Sequence, residues 1–269
     1  MLGVLALLVD SQGQKPIPPG KAWLNDAQVL GRKLFHHVTS WHVLLQPIAV
    51  DLPHGRVTSV DYGSVLIVGR GAMETFLTFS HVYEGTDAEL QEFRHLVWHC
   101  GGLRDRQKTE EIAKNPDSIQ KLAFEKSQME ALQSQMRAHP RWSGFAPDEQ
   151  SAFLRGEWRK GWGWAALGAK AGFDPVYIRH FYSYLCGYSH SSWASILQIR
   201  QADTVEKQTK MAADSLNGMC MMLALFAHHY ITLFPEAEKV LSERPGALKR
   251  VEIWRELAKK IGDHLGYPA

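Results

Sequence analysis

The run MCMMLALFAHHYITLF, residues 219–234, is the most apolar stretch beyond the N-terminus. It is shorter than the roughly 20 apolar residues that cross a bilayer. His228 and His229 interrupt its second half. An apolar segment of this length, with Pro235 as its stop, reads as the buried central helix of a bundle. A helix apolar on all sides must be surrounded by others that turn one apolar stripe inward. The expected element is one long helix over Thr204 to Phe234.

The flanking sequence supplies such helices. Leu34, Val38, Trp41 and Leu45 recur at spacings of four, three and four, and Pro47 ends the run. Leu66 to Tyr83 is strongly apolar, with Met73, Phe76 and Leu77 on one side. Thr86 or Asp87 can cap the next helix, whose stripe is Leu90, Phe93, Val97 and Cys100. Asp174 and Pro175 form a capped start for a helix running to Gly187. Asp51 to Asp61 reads as a loop around Pro53-His54-Gly55, and no strand hairpin or internal repeat stands out. The expectation is an all-α fold, a multi-helix bundle of seven to nine helices. Residues 1–24 form an N-terminal segment and linker, stiffened by KPIPPG at 15–20, and residues 25–269 a single helical domain.

Composition narrows the class. Of 269 residues, 45% are hydrophobic and 22% charged, enough for a real core, and the formal charge of +2 leaves any basic patch to local clustering. Cys100, Cys186 and Cys220 are far apart and form no CxxC pair, so neither a disulfide framework nor a cysteine zinc site is indicated. The expected compartment is reducing and cytoplasmic. Met1 to Val9 is apolar but has no basic region before it and no small-residue cleavage site, so it reads as a buried or frayed start and not a signal peptide; with the 219–234 run too short to span a bilayer, no membrane association is expected.

Leu103 to Ala138 is polar, with a break near Asn115-Pro116. Leu122, Met129, Leu132 and Met136 give it heptad-like spacing. Such an arm suits either a protein partner docking through 103–138 or a hairpin packed within the chain.

Three polar clusters can carry chemistry. The first is EFRHLVWH, 92–99, where Arg94 and His99 stand as R-x-x-x-x-H. Cleavage of RNA by its own 2′-hydroxyl needs a base of near-neutral pKa and a cation for the charge on phosphorus; His99 and Arg94 supply these types without a metal. His95 and His99, four apart, and Glu92 with His95 as E-x-x-H also admit a metal reading, but no second E-x-x-H exists. No metal and no cofactor are therefore expected. The second cluster is YLCGYSHSSW, 184–193, which places His190 among hydroxyls at a helix end. His190 there is either an acid–base group oriented by Ser189, Ser191 or Ser192 or a polar contact beside a cap. No G-x-S-x-G elbow supports a Ser–His hydrolase. The third is FLRGEWRKGWGW, 153–164, where Arg155, Arg159, Lys160 and Trp162 combine cations with an aromatic face. That mixture suits single-stranded RNA, or a core-packing segment with solvated basic tips. Arg70 and Glu74, four apart, can pair on one helix face.

The R-x-x-x-x-H element resembles the active-site motif of the HEPN ribonuclease superfamily. That resemblance implies a HEPN-like bundle, a homodimer in which Arg and His of two protomers meet, and metal-independent endoribonuclease activity of the toxin–antitoxin and phage-defence kind. A second resemblance rests on Gly69-Arg70-Gly71-Ala72-Met73-Glu74, on Glu92-Phe93-Arg94 through Trp98, and on Trp164 to Ser192 with its Tyr184 and Ser189-His190-Ser191-Ser192. These look like a family of helical bacterial proteins known only as a domain of unknown function, from whose pattern Cys186 departs. It implies that Arg70, Glu74, Arg94, Tyr184 and His190 gather in one place. The leading expectation is thus a ribonuclease with Arg94 as phosphate stabiliser and His99 or His190 as base. Arg70, Glu74, Tyr184 and Ser189 would support them, and RNA would be the substrate. The rival expectation is a non-enzymatic interaction module, antitoxin-like or a scaffold partner.

Overall fold

The computed structural model describes residues 1–13 and 15–265. Gln14 and residues 266–269, the end of the range expected for the domain, lie outside the described residues. Among the described residues the fold is all-α apart from one hairpin. Two compact units share the chain: Met1–Ser80 with Trp164 onward, and His81–Gly163.

The first unit is arranged around α11 (Leu216–Leu233), the apolar segment read above. Met219, Met222, Leu225, Phe226 and Tyr230 are buried on it. Around it stand α1 (Leu2–Ser11), α2 (Leu24–Leu44), α3 (Tyr62–Tyr83), α7 (Trp164–Lys170) and α8 (Pro175–Ser189). The sequence continues as α9 (Trp193–Gln201), α10 (Val205–Ala213), α12 (Glu238–Ser242) and α13 (Pro245–Leu265). Val4, Leu5 and Leu8 bury α1 against its neighbours, so the first residues are core. Phe79 of α3 lies 4.9 Å from Phe226 and 5.9 Å from Tyr230, ring centre to ring centre, which fixes α3 on α11.

The described residues form thirteen α-helices where seven to nine were expected, and two elements differ in kind. The helix expected over Thr204 to Phe234 is two helices. Val205–Leu233 has the length and apolar content of a membrane span by composition. It breaks at Asp214-Ser215, where the buried Ser215 hydroxyl donates to the Ala212 carbonyl at 2.7 Å. A hydroxyl bonded to local backbone competes with the helix ladder. The loop expected over Asp51 to Asp61 instead holds a hairpin, β1 (Ile48–Leu52) with β2 (Gly55–Ser59), in antiparallel register Val50↔Val57. Pro53-His54 is its two-residue turn, and Gly55 takes φ +127°, a backbone open to glycine. Ile48, Val50 and Leu52 do alternate with Ala49 and Asp51, the period of a strand.

The second unit is a helical hairpin, α4 (Ala88–Gln107) and α5 (Pro116–Ala138), closed by α6 (Pro147–Leu154). Asp87 caps α4 through the Leu90 amide, and Asn115 caps α5 through that of Asp117. Phe93, Val97, Cys100, Leu132 and Met136 form its core, with Phe145 stacked on Phe93 at 4.8 Å. The heptad-like residues Leu122, Leu132 and Met136 are thus spent within the hairpin. Glu125, also buried, is met by Arg106 Nε at 2.9 Å.

Gly101 in α4 touches backbone: a Cβ there would lie 2.5 Å from the Gly156 carbonyl oxygen. Gly102, its neighbour, has open space. Gly101→Ala should therefore cost about 1–3 kcal/mol of stability, while Gly102→Ala should add about 0.5–1 kcal/mol as a helix glycine replaced. Urea denaturation of both variants checks the contrast.

Burial, then the charges of Lys33 and His36, hold His37 below its usual 6.5. Burial, then Arg255, does the same for His228. The unfolded chain binds these protons more readily than the fold does, so stability falls as pH drops through 6.5 towards the lowered values. The denaturation midpoint should fall between about pH 8 and about pH 5, and the H37Q/H228Q double variant should show a shallower fall.

Candidate functional site

Arg70 and Glu74 sit one turn apart on α3, and Arg70 Nε donates to Glu74 Oε1 at 2.9 Å. The same carboxylate oxygen accepts from the Tyr182 hydroxyl of α8 at 2.6 Å. Arg70 Nη1 lies 3.1 Å from His190 Nε2, at the C-terminal cap of α8. A guanidinium only donates, so Nε2 accepts and the imidazole proton is on Nδ1. The Arg70 guanidinium also stands 5.9 Å from the Tyr182 ring centre. Two helices thus build a four-residue cluster from positions 120 residues apart, inside one unit.

The cluster is open to solvent. The Arg70 and Glu74 side chains are 22% and 29% exposed, and His190 is exposed. Burial, followed by the bond to Glu74, pushes the Tyr182 phenol well above its usual range, so it stays a protonated donor. Desolvation opposes the charge on Arg70, but its bonds to Tyr182 and Glu74 outweigh this and raise its pKa. The result is a held, charged guanidinium bonded to an exposed imidazole.

The turn after α8 presents His190. The Ser192 amide returns to the Gly187 carbonyl at 2.9 Å, and the Ser192 hydroxyl caps α9 through the Ser195 amide. Ser191 between them takes φ +50°, the one non-glycine in the left-handed region among the described residues.

Other expected residues lie elsewhere. Tyr184 is not part of the cluster; its ring meets Tyr188 edge-on at 5.4 Å, and burial raises its pKa. Ser189 donates to the Leu185 carbonyl at 3.3 Å and stays with its own helix. Tyr182 takes the place expected of Tyr184, and a signal for it exists: Tyr182, Cys186 and His190 are spaced by four and share a face of α8, whereas Tyr184 is two positions off it.

Arg94 and His99 belong to the second unit. Arg94 Nη1 donates to the His81 carbonyl at 3.1 Å and is 3.8 Å from Glu84, binding the C-terminal end of α3 as a cation there does. Burial lowers its pKa, with Glu84 and Asp87 opposing. Five positions along α4 place His99 about 140° round the helix from Arg94. The His99 ring lies 5.9 Å from that of the buried His95. Among the described residues, no three His, Cys, Asp or Glu side chains gather closely enough to hold a metal ion.

The basic, aromatic segment also lies in the second unit. Arg155 pairs with Glu157 at 2.6 Å and Ser151 at 2.8 Å, and Lys160 pairs with Asp148. Arg159 sits over the Trp158 ring at 5.3 Å, and Trp162 is 43% exposed. Arg155 and Lys160 carry local counter-charges, which weakens the expected phosphate-binding surface.

No protein-family model, no curated protein and no solved structure matches this chain. The class its fold defines is an all-α helical bundle, and the site is read from its own geometry.

Relieving the left-handed backbone at Ser191 should stabilise the fold. Ser191→Gly is expected to gain up to about 1 kcal/mol, and Ser191→Val to lose about 1–2 kcal/mol. Thermal unfolding of the two variants beside the parent chain measures this.

Proposed function

We propose that the Arg70–Glu74–Tyr182–His190 cluster binds a phosphodiester, and that the protein is a metal-independent ribonuclease, an effector of the chemical class that the HEPN-like resemblance suggests. One observation carries the reading: a guanidinium, anchored by a carboxylate and a phenol, donates to the ring nitrogen of a solvent-reachable histidine. Arg70 takes the role expected of Arg94, because Arg94 is committed to the His81 carbonyl. His190 is the base, as one of the two candidates in the sequence.

A phosphate draws the Arg70 Nη1–H away from His190, and the Nε2 lone pair so released takes the proton of the 2′-hydroxyl beside it. The 2′-oxygen attacks phosphorus, the P–O5′ bond breaks, the 5′-oxygen leaves and takes a proton from water, and protonated His190 returns its proton to solvent. The products are a 2′,3′-cyclic phosphate and a 5′-hydroxyl. Arg70 offsets the charge that builds on the phosphoryl oxygens, where fixed donors act most strongly. Glu74 and Tyr182 keep its fork oriented. These groups all come from one chain.

A second reading, a helical interaction module, draws on the arm of the second unit. Ile112, Ile119 and Phe124 are more than half exposed there. Toxicity on expression that His190→Ala abolishes favours the enzyme; a benign chain that purifies with a stable protein partner favours the module.

The direct test incubates the full chain with a single-stranded RNA oligonucleotide in excess chelator. Cleavage ending in cyclic phosphate is expected. His190→Ala should slow it by about 10²–10⁴-fold, and Arg70→Lys, which keeps the charge but loses the fork, should slow it strongly. His99→Ala should leave it unchanged. No cleavage, or cleavage that His190→Ala leaves intact, overturns the proposal.

A further inference from the structure

The turn that presents His190 leads into an apolar surface that the phosphodiester chemistry leaves unused. Trp193, the first residue of α9, is 73% exposed, more than any other Trp, Tyr or Phe among the described residues. Ile196 and Ile199 follow it at intervals of three and are also exposed. On α3, exposed Ile67 stands one turn before Arg70 and on the same helix face. Single apolar residues scattered over a surface are ordinary, but a row of them led by an indole beside a polar cluster is not.

Backbone bonds hold the indole at that place. The Ser192 amide donates to the Gly187 carbonyl at 2.9 Å, and the Ser192 hydroxyl accepts from the Ser195 amide at 3.3 Å. The buried Ser195 hydroxyl donates back to the Ser192 carbonyl at 2.7 Å. These bonds tie the first turn of α9 to the last turn of α8. Three peptide steps separate Trp193 from His190, so their Cα atoms are at most about 11 Å apart. Ser191, in the left-handed region, turns the chain within that span. A nucleotide with its phosphate on Arg70 and its 2′-hydroxyl at His190 therefore has its base within side-chain reach of the indole.

We infer that Trp193 is the stacking platform for the base of the nucleotide whose 2′-hydroxyl meets His190, and that it restricts the substrate to single-stranded RNA. This rests on the reading of Arg70 and His190 as a phosphodiester site. An indole offers its face to any base, because every base has a π-face. In a duplex both faces of that base are covered by its neighbours, whereas an unpaired base is free to turn onto an aromatic ring. A lipid surface fits the same row less well. Membrane-surface helices carry many Lys and Arg beside their apolar face, and α9 has Arg200 as its one cation.

The test gives the full chain an oligodeoxythymidylate carrying one ribonucleotide, so that a single phosphodiester has a 2′-hydroxyl beside it. That ribonucleotide is adenosine or an abasic ribose, and an all-deoxy strand with deoxyadenosine at the same position serves for binding. Trp193→Ala should lower kcat/KM on the adenosine strand by about tenfold or more, chiefly through KM. The parent should lose as much on the abasic strand, where Trp193→Ala should cost nothing further. Trp193→Phe, which keeps a ring, should restore most of the loss. Annealing the adenosine strand to its complement should slow the parent by at least about tenfold. Trp193→Ala should also weaken binding of the all-deoxy strand, and thermal unfolding verifies that both variants fold. Kinetics in Trp193→Ala equal to the parent's, or a further loss on the abasic strand, overturns the inference and leaves cleavage at Arg70 and His190 standing. So does binding of phosphatidylglycerol vesicles that Trp193→Ala abolishes while oligonucleotide binding is unchanged. A parent chain that cleaves nothing overturns the phosphodiester reading instead, and binding of the all-deoxy strand then decides the platform: a loss in Trp193→Ala supports it, and equal affinity overturns it.

Discussion

The burial of α11 is the constraint on which the first unit depends. Met219, Met222, Leu225, Phe226 and Tyr230 are nearly inaccessible to solvent. A helix with so much apolar surface has no favourable exposed face, and every neighbour must lend it one. That demand holds α3 against it through Phe79. Gly218 marks a similar closeness on another side: a Cβ there would meet the Phe181 ring of α8 at 2.3 Å. With α3 and α8 both drawn to the same core helix, Arg70, Glu74, Tyr182 and His190 are brought to one place.

Electrostatics then decides what the polar groups do there. A guanidinium with five donors is seldom satisfied by one acceptor. Arg70 distributes its donors over Glu74 and His190, and Tyr182 closes the ring by donating to the same Glu74 oxygen. Arg94, the arginine favoured by motif, is tied instead to a helix-end carbonyl. The difference lies in surroundings and not in residue type. Arg70 meets a side-chain imidazole at the open end of α8, while Arg94 is enclosed by backbone and Glu84.

Much of the local structure was legible in the chain. Asp174 and Asp87 cap where their spacing predicts, Pro175 opens α8, and Asn115-Pro116 divides the polar arm. The Arg70–Glu74 pair follows from a four-residue interval on one helix. Tyr182 was hidden because Tyr184 and Tyr188 compete for attention beside it, and only the four-residue spacing to His190 distinguishes it. The hairpin at Ile48–Ser59 was hidden because its strands are short and its turn, Pro53-His54, lacks the usual Asn-Gly signal.

The chain by itself determined most of the long helices, several of their caps and stops, and that α11 is core, because hydrophobic period, caps and prolines act over a few residues. Tertiary structure alone decided which arginine meets which histidine: Arg70 with His190, and Arg255 with His228. Contacts across 120 and 27 residues depend on how whole helices stack, and a helical period says which face a residue occupies but not what stands opposite it.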